Sequence, residues 1–232
     1  MKKIIISCLL VTAFCNAQNI SNGTITYIVS QKKDHVEQLK EKAKTSESAQ
    51  RVLDLYEMAE DVTAILHFTA QEAIYKAQES LKNEADKTIV NFTYPMAGGR
   101  TIYYNNTIEN INASDVSGEY IRVIQEKQEW QLVNETKQIG KYTCFKAIQT
   151  NSNRSKVKPI AWYTLDIPLP FGPKGFNGLP GLILEIEEKV YVFKATKIEL
   201  NSTDFEPIEQ PTKGKKITYA EWRERTKNFF TK

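Results

Sequence analysis

The chain reads as an α+β domain: a mainly antiparallel, curved, half-barrel-like β-sheet with an N-terminal helical excursion and a C-terminal helix. Three observations predict this. Alternating, β-branched segments recur with no helical stretch between them over most of the chain. One gap, residues 32–61, lacks Gly and Pro and is rich in Glu, Lys, Ala, Gln and Leu. A capping-box spacing, Thr218 to Glu221, precedes the last residues. Strand following strand implies antiparallel pairing, because parallel neighbours need crossover connections.

Asn22–Gln31 (NGTITYIVSQ) alternates and is the first strand. The stretch from Lys32 to Asp61 is helical. Ala49, Val52, Leu53 and Tyr56 fall on one face, as do Val36, Leu39 and Ala43. Thr45-Ser46 is a break, with Ser46 placed to cap a second helix. Further strands are expected at residues 62–70, 73–80, 100–105, 120–126, 129–134, 142–149, 160–165, 182–187 and 189–198. Lys213-Gly214-Lys215-Lys216 reads as a solvated linker after Pro207 and Pro211. Trp222, Phe229 and Phe230 supply the apolar contacts of the closing helix.

The 232 residues suffice for one domain with a core of its own. Lys2 and Lys3, the apolar run Ile4–Phe14 and the small residues of Cys15-Asn16-Ala17 form a secretory signal-peptide pattern. Cleavage is expected after Ala17, leaving residues 18–232 as one domain. The run is short for a membrane span, and no later stretch approaches one. Phe14 before Cys15 is too bulky for lipid attachment. The reading is therefore export, with the periplasm as the expected location and an extracellular or surface-associated one as the alternative. Loss of Lys2 and Lys3 takes the formal charge from +3 to +1. Such a balanced chain is not a general nucleic-acid binder. Cys144 becomes the sole cysteine, so no intramolecular disulfide is available.

Residues 168–181 (PLPFGPKGFNGLPG) hold four of the eight prolines and four of the ten glycines. Pro168, Pro170, Pro173 and Pro180 forbid regular ladder pairing. Gly172, Gly175, Gly178 and Gly181 permit positive φ or close backbone approach. Phe171, Phe176, Leu179 and Leu182 are retained beside them. A flexible linker has no use for such residues, so this is a shaped, partly buried loop. Its roles are either a rigid corner plugging the sheet or a binding loop.

Gly178-Leu179-Pro180-Gly181-Leu182-Ile183 spells GLPGLI, and the chain resembles the GLPGLI family of exported Bacteroidota proteins. Gly23–Tyr27, Trp130 with Glu135-Thr136-Lys137, Tyr142–Ala147, and Ala161-Trp162-Tyr163 followed by Ile167-Pro168 and Gly172-Pro173 match that family as well. The likeness spans almost all of residues 18–232. It implies an exported envelope protein and little chemistry, since the family carries no established activity and no catalytic residues to transfer.

A search for chemistry returns little. His35 and His67 stand apart, with no HExxH or other ligand spacing. Cys144, Met58 and Met96 have no local arrangement that would make a soft metal site. Cys144 lies between strand-core residues and reads as an inert thiol. Glu185 and Glu187 share a strand face and read as an exposed charged surface. There is no GxSxG, Walker A or GxGxxG motif. No catalytic residue, metal or cofactor is expected, and the protein is read as a non-enzyme. The aromatic residues Tyr103, Tyr104, Trp130, Trp162, Tyr163, Phe171 and Phe176 crowd the β half, as a core with its rim or as an amphipathic cleft. Two partner classes follow. One is an apolar or amphipathic small molecule carried on the concave face. The other is an envelope protein, contacted by the GLPGLI loop in support of an outer-membrane receptor. The expected binding loop comprises Trp162, Pro168, Phe171, Gly172, Pro173, Phe176, Gly178, Leu179, Pro180, Gly181, Leu182 and Ile183.

Overall fold

A computed structural model describes residues 20–79, 91–106, 108–116, 118–152 and 156–227. The signal-peptide pattern at residues 1–17 and the expected contacts of Phe229 and Phe230 lie outside these residues. Among the described residues twelve strands form one open sheet, and four α-helices decorate it. The strands are β1 (Asn22–Gln31), β2 (Val62–Thr69), β3 (Glu72–Ala77), β4 (Ile102–Asn106), β5 (Asn110–Val116), β6 (Glu119–Ile124), β7 (Trp130–Ile139), β8 (Tyr142–Gln149), β9 (Ile160–Thr164), β10 (Leu182–Glu187), β11 (Tyr191–Leu200) and β12 (Lys215–Thr218). Their order across the sheet is β12-β6-β5-β4-β3-β2-β1-β11-β10-β9-β8-β7.

Two meanders, β1 to β6 and β7 to β11, are joined where β1 pairs antiparallel with β11. Period-two burial explains the first strands directly. Ile25, Tyr27 and Val29 point into the core from β1, as do Ala64, Leu66 and Phe68 from β2. The register slips between Thr26 and Tyr27, between Ile183 and Glu185, and between Val133 and Thr136. Such bulges bend strands and raise local twist, which curves the sheet.

The helical excursion is α1 (Lys33–Ala43) and α2 (Glu47–Glu57), broken at residues 44–46. Ser46 caps α2 by accepting from the Ala49 backbone N–H at 3.3 Å. Only Leu53 of the two helices is buried, so the excursion lies against the sheet rather than in it. Helix α3 (Thr93–Ala97) accepts the Tyr75 hydroxyl at the Ala97 carbonyl, 2.8 Å. Helix α4 (Tyr219–Thr226) carries the expected capping box between Thr218 and Glu221.

Two strands and one side chain differ from the sequence reading. Strand β5 (NINASDV) was not expected, because Asn and Asp are poor strand formers; pairing with β4 and β6 on both sides overrides that preference. Residues 215–218 are a strand, not a solvated linker. They pair in parallel with Ile121–Ile124, the one parallel pairing of the sheet among the described residues, and bury Ile217 against Ile121 and Val123. Glu185 is buried rather than exposed, because Lys137 reaches it at 2.5 Å. Glu187 accepts from Trp162 Nε1 at 3.0 Å and pairs with Lys32 at 3.0 Å. No helix among the described residues is long and apolar enough to cross a membrane.

Candidate ligand groove

The Pro/Gly loop turns inward, into the hollow of the sheet. Its backbone doubles back on itself: Phe171 bridges Asn177, the Gly178 N–H donates to Pro170 O, and the Ile183 N–H donates to Phe171 O. Phe171, Gly172, Pro173, Phe176, Leu179, Gly181, Leu182 and Ile183 are buried, while Pro168, Gly178 and Pro180 are exposed. Gly181 is forced by contact, since a β-carbon there would stand 2.0 Å from the Thr164 carbonyl oxygen. Gly178 is forced by conformation, with φ +88°, since a β-carbon there would make only ordinary contacts, 3.8 Å from Gln128 O and 3.9 Å from Trp130 Nε1. Trp162, the remaining residue of the expected loop site, packs instead beneath the Lys137 ammonium, 4.2 Å from its ring centre.

Carboxamides hold the tip of the loop. Gly175 O accepts from Asn110 Nδ2 at 3.1 Å, Gln128 Nε2 at 3.0 Å and Asn177 Nδ2 at 3.2 Å. Gln128 Oε1 in turn accepts the Asn177 N–H, and Trp130 Nε1 donates to Asn177 O at 2.8 Å. The loop is thereby stitched to β5 on one side and to the start of β7 on the other.

Above this tip opens a groove of about 790 Å³. Lys174, Gly175 and Phe176 form its floor. Asn110 and Asn112 of β5, Gln125 and Gln128 of the linker between β6 and β7, and Gln149 and Asn151 at the end of β8 line it with amides. Leu55 of α2, Phe92 and Met96 around α3, and Val157 bring apolar surface, each between 40% and 49% exposed. Lys174 is neutralised by Glu188 at 2.9 Å and lies over the Phe193 ring. Tyr191, also lining the groove, has its hydroxyl pushed up to about 12 by burial and by Tyr56. It is therefore a neutral hydrogen-bonding phenol at any ordinary pH.

The groove was not legible from the chain because its amides come from three separate stretches, around residues 110, 125 and 149. Of the expected site residues, only Phe176 reaches it. Met96 lines the groove, whereas Cys144 is fully buried in β8. Burial pushes the Cys144 thiol up to about 11 despite the nearby Lys137. His67 is half-buried on β2, with Nδ1 3.0 Å from Thr24 Oγ1. Among the described residues no group of three or more His, Cys, Asp or Glu is gathered as a metal site.

A family model, "Protein of unknown function (Porph_ging)", matches residues 150–185, from the end of β8 into β10. No curated protein matches the chain. Two crystal structures of PNGF-II are similar in fold. One aligns with a TM-score of 0.53 and 15% identity, the other with 0.50 and 14%; each covers 88% of this chain and 32% of that one. The chain thus spans about a third of the length of PNGF-II. An uncharacterized conserved protein from Thermus thermophilus aligns more loosely, with a TM-score of 0.37 and 10% identity over 87% of this chain and 92% of that one, and bears no weight here.

Proposed function

We propose that the protein is a non-enzymatic, exported binding protein that carries an amphipathic ligand in the groove above residues 174–176. The observation that carries this reading is the mixed lining: six carboxamides share the groove with Leu55, Phe92, Met96 and Val157, each of which keeps 40–49% of its surface exposed. Groove-lining polar groups without charge fix orientation, and exposed apolar surface beside them supplies affinity. The half-barrel curvature of the sheet and the buttressed loop keep the groove preformed, which lowers the ordering cost of binding. Export to the periplasm rests on the signal-peptide pattern of residues 1–17. Membership of the GLPGLI family is supported by the family match, which covers Gly178–Ile183.

Two features support a role without catalysis. The Cys144 thiol is buried and held neutral. The carboxylates of Glu185 and Glu187 are committed to Lys137, Lys32 and Trp162. The competing role, a receptor accessory using the GLPGLI loop as contact surface, gains no support from Leu179 and Leu182, which present almost no surface.

The test is native mass spectrometry of protein purified from its own cell envelope, with organic extraction of bound material. A reproducible bound amphiphile supports the reading. A clean unliganded mass, together with no binding of a fluorescent fatty-chain probe by recombinant protein, overturns it.

A further inference from the structure

The groove's unused hydrogen-bonding groups specify the head of its occupant, and we infer that it takes an amphiphile with a neutral, hydroxyl-rich head, such as a glycoside. This rests on the carrier reading and refines it.

Three carboxamides keep free capacity. Gln149 is only 8% exposed, lines the groove, and makes no hydrogen bond through its side chain among the described residues. Gln125 donates to Val123 O and leaves its Oε1 unused. Asn112 makes no side-chain hydrogen bond among the described residues, and its Oδ1 is buried without a donor. Asn110 adds a further acceptor. Its Nδ2 is spent on Gly175 O, which fixes the orientation of the amide, and its Oδ1 is buried without a donor. Both orphan oxygens lie beside Gly175, within 3.5 Å of where its β-carbon would stand.

The carboxamides therefore offer donors and acceptors together and carry no charge of their own. A hydroxyl both donates and accepts and can meet either need. A carboxylate or phosphate accepts only, and here it would approach two orphan oxygens. An ammonium donates only, and the half-buried carboxylate at the floor, that of Glu188, is already paired with Lys174. The other charges lining the groove, Glu126 against Lys127, Lys189 and Arg223, sum to +2, but all four residues are exposed, where water and salt screen them. Leu55, Phe92, Met96 and Val157 then receive the apolar tail.

The experiment compares dodecyl maltoside with laurate, two twelve-carbon chains differing in head group. Both are titrated below their micelle-forming concentrations against the recombinant protein by tryptophan fluorescence and calorimetry. The inference expects dodecyl maltoside to bind at least tenfold more tightly. Gln149→Leu and Asn112→Ala should each weaken it about tenfold while leaving laurate unchanged. Melting curves confirm that each variant folds, and Gln125→Leu serves as the second test where one does not. Laurate binding as tightly as dodecyl maltoside overturns the head-group inference and leaves the carrier reading intact. Binding of neither overturns both.

Discussion

Asn110 and Gln128 donate to one oxygen, the carbonyl of Gly175, from 3.1 and 3.0 Å. Asn110 begins β5 and Gln128 precedes β7, strands that stand nine positions apart in the sheet order. In a flat sheet that is roughly 40 Å. Their meeting measures how far the sheet has curled, and the loop between them is what they grip.

Removing either donor should loosen that grip. Asn110→Ala should lower stability by about 1 kcal/mol, one net hydrogen bond, and Gln128→Ala by about 2 kcal/mol, because it also loses the bond from the Asn177 N–H. Because they share an acceptor, the double variant should lose less than the sum. Urea unfolding of the two singles and the double variant reads both numbers.

The two glycines of the motif should respond differently to alanine. Gly178→Ala meets only the left-handed φ, a loss of about 1 kcal/mol. Gly181→Ala drives a methyl into the Thr164 carbonyl oxygen and should cost ~3 kcal/mol or more. Equal shifts in denaturation midpoint would contradict the contact.

Cys144 should resist alkylation in the native state at pH 8 and react fully in urea. The folded thiol sits near 11 against an ordinary 9.0. Its pKa is raised, so the neutral form it favours supports folding fully below pH 9, and that support is lost as pH rises toward 11. Cys144→Ala should flatten the stability profile in that window.

Glu187 carries the opposite sign. Burial pushes its carboxyl up, but the Trp162 indole N–H and Lys32 outweigh it and hold it below the ordinary 4.5. Its contribution is present above that value and fades as pH falls through the folded one. Trp162→Phe removes the donor and should move the acid-unfolding midpoint to higher pH.

Leu55→Ser and Phe92→Ser should change stability by no more than ~0.5 kcal/mol, since both side chains are exposed. Each should weaken binding of dodecyl maltoside severalfold, read by the same titration. Unchanged binding in both would detach the apolar rim from function.

Much of the sheet was legible because its burial is periodic. The alternation at Ile25, Tyr27 and Val29, the Ser46 cap and the Thr218–Glu221 box all stand where local chemistry places them. What escaped was set by distant partners. Strand β5 has the local signals of a loop and is made a strand by β4 and β6. Strand β12 opens on two lysines after a glycine, and only the pairing with β6 orders it. The Pro/Gly loop was visible as a shaped feature. That its tip would be pinned by amides from β5 and from the residues before β7 was not, since no spacing in the chain encodes it.

The seam between the two meanders has a consequence for how the chain comes to be folded. Gly23, near the start of the described chain, lies opposite Leu200, and β6 waits for Lys215–Thr218. The first pairing needs the chain from Gly23 through Leu200 and the second needs it through Thr218, and such long-range closure is slow. Each meander has a local route to form, but the sheet is completed only when its two far-separated clasps shut. A chain still being made would therefore leave these two seams open, and completion of the sheet would be timed by the arrival of β11 and β12.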